Sequence, residues 1–235
     1  MAEKVTGKVI VITGGSSGIG ACVAQMLAKG GARVAIAARR TDRLSQVRDE
    51  IVRSGGDSIA VECDVSQRGD VERLARATMN TFGCIDVWVN NAGIFRSGPM
   101  SSSAIEDWEQ MVDVNVKGVL YGIGTALPIM ENQGFGHIIN VGSIGGHKVF
   151  GDYAVYCGTK HAVRAISEGL QLSTQGNVRV THIAPGGVST EMFSPGESEV
   201  AMTPHAVAKA IAFAIGQPAD IGVNEIVVRP RGAAA

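Results

Sequence analysis

The chain has 235 residues, with 21 Lys plus Arg against 22 Asp plus Glu and a formal charge of −1. So even a balance supplies no basic stripe for phosphodiesters and no acidic tail, which argues against nucleic acid or a membrane surface as partner. With 45% hydrophobic and 18% charged residues there is ample material for a core, which excludes intrinsic disorder, and the length suits one α/β domain spanning 1–235.

Taken in chain order, residues 8–13, 33–38, 58–63, 85–90, 137–142, 178–184 and 225–228 are short β-branched runs that predict seven strands. Between them, 18–29, 43–53, 70–81, 105–131, 152–174 and 204–216 repeat apolar residues at three- and four-residue spacing and predict six helices. The strands are apolar on both sides, as Val9-Ile10-Val11-Ile12 shows, which suits a sheet covered on both faces. Such alternation implies right-handed crossovers and a Rossmann-type doubly wound fold, a seven-stranded parallel sheet with helices on both faces. Residues 191–203 follow neither pattern, and with Phe193-Ser194-Pro195-Gly196 they predict a substrate loop that acts as a lid. Cys22, Cys63, Cys84 and Cys157 form no Cys-x-x-Cys pair, so they predict buried thiols, no metal centre and a cytoplasmic location. The first apolar run, 9–12, is too short for a secretory leader, and no stretch approaches the ~18 apolar residues of a membrane span.

Thr13-Gly14-Gly15-Ser16-Ser17-Gly18-Ile19-Gly20 links the first predicted strand to the first helix. Gly14 permits a sharp turn, Gly18 lets the backbone approach a pyrophosphate, and Gly20 allows close helix–strand packing, while free amides at the helix start face the anion. Dinucleotide sites of this kind usually carry an acid at the end of the second strand for the ribose 2′-hydroxyl. Here that strand ends Ala37-Ala38-Arg39-Arg40. Two guanidiniums suit a 2′-phosphate, so NADP(H) is favoured over NAD(H). Asp42, the nearest acid, reads as a helix cap.

Tyr156 and Lys160 are four apart in a predicted helix and so share one face. An ammonium beside a phenol favours the phenolate and lowers its pKa, which makes the pair a general acid/base.

The ordered series Thr13-Gly14-x-x-x-Gly18-Ile19-Gly20, Asp64, Asn90-Asn91-Ala92-Gly93, Asn115, Ser143, Tyr156-x-x-x-Lys160 and Pro185-Gly186-x-x-x-Thr190 resembles the short-chain dehydrogenase/reductase family, in its single-domain NADP(H)-preferring branch. The resemblance implies that Tyr156 exchanges a proton with the substrate oxygen and that Ser143 hydrogen-bonds that oxygen. Lys160 would tune the phenol and hold the nicotinamide ribose, and Asn115 would anchor a water leading from Lys160 to solvent. It implies a cofactor site built from Gly14, Ser16, Ser17, Gly18, Ile19 and Gly20, with Arg39 and Arg40. Asp64 would bind the adenine amino group and Val65 would offer its amide, with Asn90, Asn91, Ala92 and Gly93 along the adenosine. Pro185, Gly186, Val188 and Thr190 would seat the nicotinamide.

By position, Phe95, Ile144, Gly145, His147, Val149, Val188, Met192 and Phe193 are candidates for a largely apolar substrate pocket beside Ser143 and Tyr156. The expected activity is that of an NADP(H)-dependent carbonyl reductase or alcohol dehydrogenase for small or hydrophobic ketones. The ending Asn224-Glu225-Ile226-Val227-Val228-Arg229-Pro230 resembles broad-specificity NADP-dependent members acting on 3-hydroxy acids, serine-like substrates and ketones. A 3-oxoacyl reductase or 3-hydroxy acid dehydrogenase is the alternative, and a non-catalytic NADP(H)-binding sensor is a second, opposed by the retention of Ser143, Tyr156 and Lys160. Relatives form tetramers through their two long helices, so a homotetramer is expected, with Gly118, Gly122, Gly124 and Ala165 permitting close packing between subunits.

Overall fold

Alternate residues of the first strand, Val9–Thr13 (β1), point to opposite faces, and two separate cores result. Ile10 and Ile12 pack with the helices Gly18–Lys29 (α1), Thr41–Arg53 (α2) and Pro204–Ile215 (α7). Val9 and Val11 face Arg68–Phe82 (α3), Gly118–Gln133 (α5) and Ala154–Ser173 (α6), with the fully buried Trp88 between them. Burying each such Val, Ile or Leu contributes about 1.5–3 kcal/mol. The computed structural model describes residues 5–102, 104–174, 176, 178–192 and 201–232.

The remaining strands are Arg33–Ala38 (β2), Asp57–Glu62 (β3), Val87–Asn90 (β4), His137–Val141 (β5), Arg179–Pro185 (β6) and Glu225–Val228 (β7). They form one parallel sheet in the order β3-β2-β1-β4-β5-β6-β7, which is the doubly wound arrangement the alternation predicts. The chain reverses direction of build-up between β1 and β4, so a crevice opens there at the carboxyl ends of the strands. No helix of the described residues is long and apolar enough to cross a membrane.

The structure departs from the sequence reading at two helical regions, the segment 105–131 and α2. The predicted helix 105–131 is interrupted: Ile105–Val112 (α4) gives way to a π-helical turn, Asp113–Lys117, before α5. Asn115 sits in that turn, and its carboxamide holds the Ile94 backbone from both sides, accepting from Ile94 N at 2.8 Å and donating to Ile94 O at 2.9 Å. Such local widening of a helix is common at functional sites. Asp42 is not a cap: α2 starts at Thr41 with Arg40 at the N-cap position, so Asp42 lies in the first turn, where its charge complements the helix dipole. Gly118 and Gly122, assigned to subunit packing from sequence, instead admit inward neighbours. A Cβ on Gly118 would stand 2.9 Å from Val65, and one on Gly122 would fall on the Asn90 carboxamide.

Candidate active site

A cavity of about 470 Å³ runs from the β1–α1 turn to the carboxyl ends of β5 and β6. At the turn Gly14 has φ +69°, and a Cβ there would lie 2.9 Å from Ala92 Cα, so only glycine fits. Thr13 ties this turn to β4 across the crevice: its Oγ accepts from the Asn91 and Ala92 amides at 3.0 and 3.1 Å, and its carbonyl accepts from Asn91 Nδ2 at 2.8 Å. Ser16, Ser17, Gly18 and Ile19 therefore present the start of α1 to the cavity. Gly20 stands behind them, where its missing side chain makes room for the Gly14 carbonyl.

Arg40 reaches over the turn and donates to Ser17 Oγ at 2.6 Å and Ser16 Oγ at 3.3 Å. Its other nitrogen pairs with Glu191 at 2.9 Å, and Arg43 binds the same carboxylate at 2.6 Å. Those two guanidiniums hold the Glu191 carboxyl below its usual range. Arg39 faces Asp64 at 3.8 Å, while Asp64 Oδ1 accepts from the Ser66 amide and hydroxyl. Val65 completes this side, together with Cys63, whose thiol burial pushes up to about 12 and so makes inert.

At the other end Tyr156 and Lys160 project inward from α6, as their spacing requires. Burial pushes the Tyr156 phenol up to about 12, against a hydrogen bond with Ser143 that acts downward. Burial pulls Lys160 down to about 8, and its ammonium donates to the Val141 carbonyl at 3.1 Å, 5.7 Å from the centre of the Tyr156 ring. The lowering of the phenol expected from an adjacent cation is not found: the Lys160 ammonium does not act on Tyr156, and burial sets the direction for both groups. Ser143 stands two residues past β5 in extended conformation, at the N-cap of the next 3₁₀ turn, where its Oγ accepts from the Gly145 amide at 3.0 Å. Phe95 packs edge-on against Tyr156 and Tyr153, with centroids 5.0 and 4.9 Å apart.

Gly93, Pro185, Gly186, Val188 and Thr190 of the sequence series line the cavity, and so does the pocket candidate Met192. A bridge between Val188 and Met202 closes the base of the predicted substrate loop. Phe193 and most of that loop, 193–200, lie outside the described residues.

Several candidates fall elsewhere. Asn90 is internal, accepting from Trp88 Nε1 at 2.8 Å and donating to Asn140 Oδ1 at 2.9 Å, so Asn91 and not Asn90 meets the cavity. Asn115 is buried against Ile94 and Thr159, behind the lining. Ile144, Gly145 and Val149 are not lining residues, because the 3₁₀ turn Ile144–Gly146 carries the chain away from the cavity. His147, expected against substrate, is turned towards Glu225 on β7 at 3.2 Å. Sequence reasoning missed Arg96, which lines the cavity beside Phe95 and is held by Asp107 at 3.3 Å. It also missed Arg43, which lies three residues past Arg40 on the first turn of α2. The helical spacing from Arg40 is the signal that was available for Arg43.

Residues 8–200 match the family model described as short chain dehydrogenase. An uncharacterized oxidoreductase of Staphylococcus saprophyticus is 44% identical over 243 residues, covering 97% of this chain and 98% of its own length. One from Listeria innocua is 40% identical, covering 95% and 96%. Among solved structures, an alcohol dehydrogenase from the archaeon Thermococcus sibiricus complexed with 5-hydroxy-NADP superimposes with TM-score 0.91 at 29% identity over 97% of this chain and 98% of that one. The closed form of a serine dehydrogenase complexed with NADP+ gives 0.88 at 32% identity over 94% of each. With the doubly wound sheet and the cavity at its switch point, these similarities establish that the chain is an oxidoreductase of the short chain dehydrogenase family.

Proposed function

We propose that the chain is an NADP(H)-dependent oxidoreductase interconverting a small or hydrophobic ketone and its secondary alcohol. The donor set fits the cofactor: a helix N-terminus and glycine turn for the pyrophosphate, Asp64 and Val65 near the adenine, and Arg40 with Arg39 and Arg43 for a 2′-phosphate. When bound, the nicotinamide supplies or accepts the hydride. Tyr156 holds the proton at Oη and delivers it to the carbonyl oxygen during reduction, or takes it from the alcohol in reverse. Ser143 donates to the same oxygen as negative charge grows there. Lys160 stabilises the phenolate that remains and holds ribose hydroxyls through its ammonium. Asn115 fixes the Ile94 backbone and, as the family resemblance implies, would anchor a water leading from Lys160 to solvent. Phe95 and Met192 exclude bulk water from the reacting atoms.

The observation that carries this reading is the placing of Ser143, Tyr156 and the buried Lys160 together at the far end of a cavity that begins at Arg40. Oxidation of NADPH, followed by its absorbance, tests it with ketones, 3-oxo acids and aldehydes, with NADH and Tyr156→Phe in parallel. Turnover that prefers NADPH and vanishes in Tyr156→Phe is the expected result. Tight NADPH binding without turnover of any substrate would instead favour a nucleotide sensor.

Arg96 favours a second reading, a 3-hydroxy acid dehydrogenase, because a guanidinium beside Phe95 offers a partner to a substrate carboxylate. A preference for 3-oxo acids over matched neutral ketones that is lost in Arg96→Gln would select it. The proposal also includes a cytoplasmic homotetramer packed through α5 and α6, supported by the exposed Leu120 and Leu172 on those helices. Light scattering of the purified protein would count the subunits.

A further inference from the structure

We propose that His147, His182 and Glu225 form a binding site for a divalent transition cation of the Zn2+ class, directly behind the strand end that carries Ser143. The three residues come from the loop after β5, from β6 and from β7, and their ligand atoms lie within 4.8 Å of one another. His182 Nδ1 is 2.8 Å and His147 Nε2 is 3.2 Å from the same oxygen, Glu225 Oε1. Tetrahedral zinc with bonds of about 2.0–2.2 Å sets its ligand atoms roughly 3.3 Å apart, so small shifts would seat an ion. Two imidazoles and one carboxylate match the donors that Zn2+ and its neighbours in the series select, and the set leaves a fourth position for water.

Two further observations separate this cluster from an ordinary hydrogen-bond hub. His147 Nε2 is buried and, despite its distance from the carboxylate, has no hydrogen-bond partner among the described residues. His182 Nε2 is likewise without one, and its ring fills the space that a side chain on Gly142 would take. The His182 side chain is only 2% exposed and held by β6, whereas that of Glu225 is 33% exposed, so the site is fixed at its base and open at its face. Loading places the cation on His182 Nδ1 and the ring proton on Nε2, so the imidazole stays neutral and no proton leaves the ring.

One group opposes the ion. Arg164 Nε lies 3.4 Å from Glu225 Oε1 on a half-exposed side chain and competes for the same oxygen. That competition supplies a test that a hydrogen-bond hub would not pass. Calorimetric titration of the chelator-treated protein with Zn2+, and visible absorption of its Co2+ complex, should show one saturable site per chain with an intense tetrahedral band. His147→Ala and Glu225→Gln should each weaken binding at least about tenfold, and Arg164→Gln should tighten it about three- to tenfold. His147 and Glu225 reach the surface, so these variants preserve the core, and their melting curves verify it. Absence of saturable binding in both the parent and Arg164→Gln overturns the proposal. So does binding that survives His147→Ala and Glu225→Gln undiminished, which would place the ion elsewhere.

Discussion

At the phosphate end of the cavity charge stands in water: the Arg40, Arg43 and Glu191 side chains are 47%, 48% and 59% exposed and pair with one another. At the catalytic end Tyr156 and Lys160 are buried, and neither keeps its ordinary pKa. Exposed ion pairs are screened and exchangeable, so the first end can trade Glu191 for another anion at small cost. Buried groups have no such substitute, and removing one leaves its partner stranded in a medium of low dielectric. One end is thus suited to selecting and releasing a cofactor, the other to holding a proton in place.

If that contrast is right, the largest loss comes from the buried end. Tyr156→Phe should lower kcat about 10²–10⁴-fold while leaving NADPH binding, read by fluorescence, nearly unchanged. Equal losses in binding and turnover would remove the distinction between the ends.

Lys160 sharpens the contrast through pH. With its pKa near 8 and that of Tyr156 near 12, the proton donor stays loaded while the ammonium is lost as pH rises. The reduction rate should therefore fall through about pH 8, and the inflection should be absent from the residual activity of Lys160→Met. Stability should move the other way. Between about 8 and the ordinary value of 10.5 the unfolded chain binds the Lys160 proton and the native chain does not, so this group's contribution to stability rises with pH across that window. Urea midpoints measured on either side of pH 8, in the parent and in Lys160→Met, would show whether the buried ammonium is the source.

Much of this arrangement is legible in the sequence because it depends on local spacing. The β1–α1 glycines, the Tyr156–Lys160 offset and the wholly apolar run of β1 each fix geometry within a few residues, and right-handed crossovers put helices on both faces of the sheet. Contacts made across the fold are not legible. Nothing near His147 announces Glu225, 78 positions later, because only the pairing of β6 with β7 brings them together. The π-turn at Asn115 is hidden for a related reason: the hydrophobic spacing of 105–131 continues through it, and Asn115 turns inward to serve Ile94. Arg96 carries no mark in the sequence, because a loop arginine has no periodicity.

Two substitutions probe the exposed end. Arg40→Ala removes a charge-assisted partner of the proposed 2′-phosphate and should raise the KM for NADPH about 10–100-fold with little change for NADH.

The smallest and most telling effect belongs to Glu191. Its carboxylate occupies both Arg40 and Arg43, so an incoming phosphate must displace it before either guanidinium is free. Glu191→Gln abolishes that competition without shortening the side chain. Affinity for NADPH, or for 2′-AMP as the isolated fragment, should then rise about two- to fivefold, the range expected for exposed pairs. Affinity for NADH and 5′-AMP, which lack the phosphate, should stay constant. The gain should shrink as salt is added, because screening weakens the pair that the substitution removes. A gain of equal size for both cofactors would mean that Glu191 blocks the cavity by bulk. A loss for NADPH alone would mean that Glu191 orients the arginines for the phosphate, and the exposed end would then be as tightly organised as the buried one.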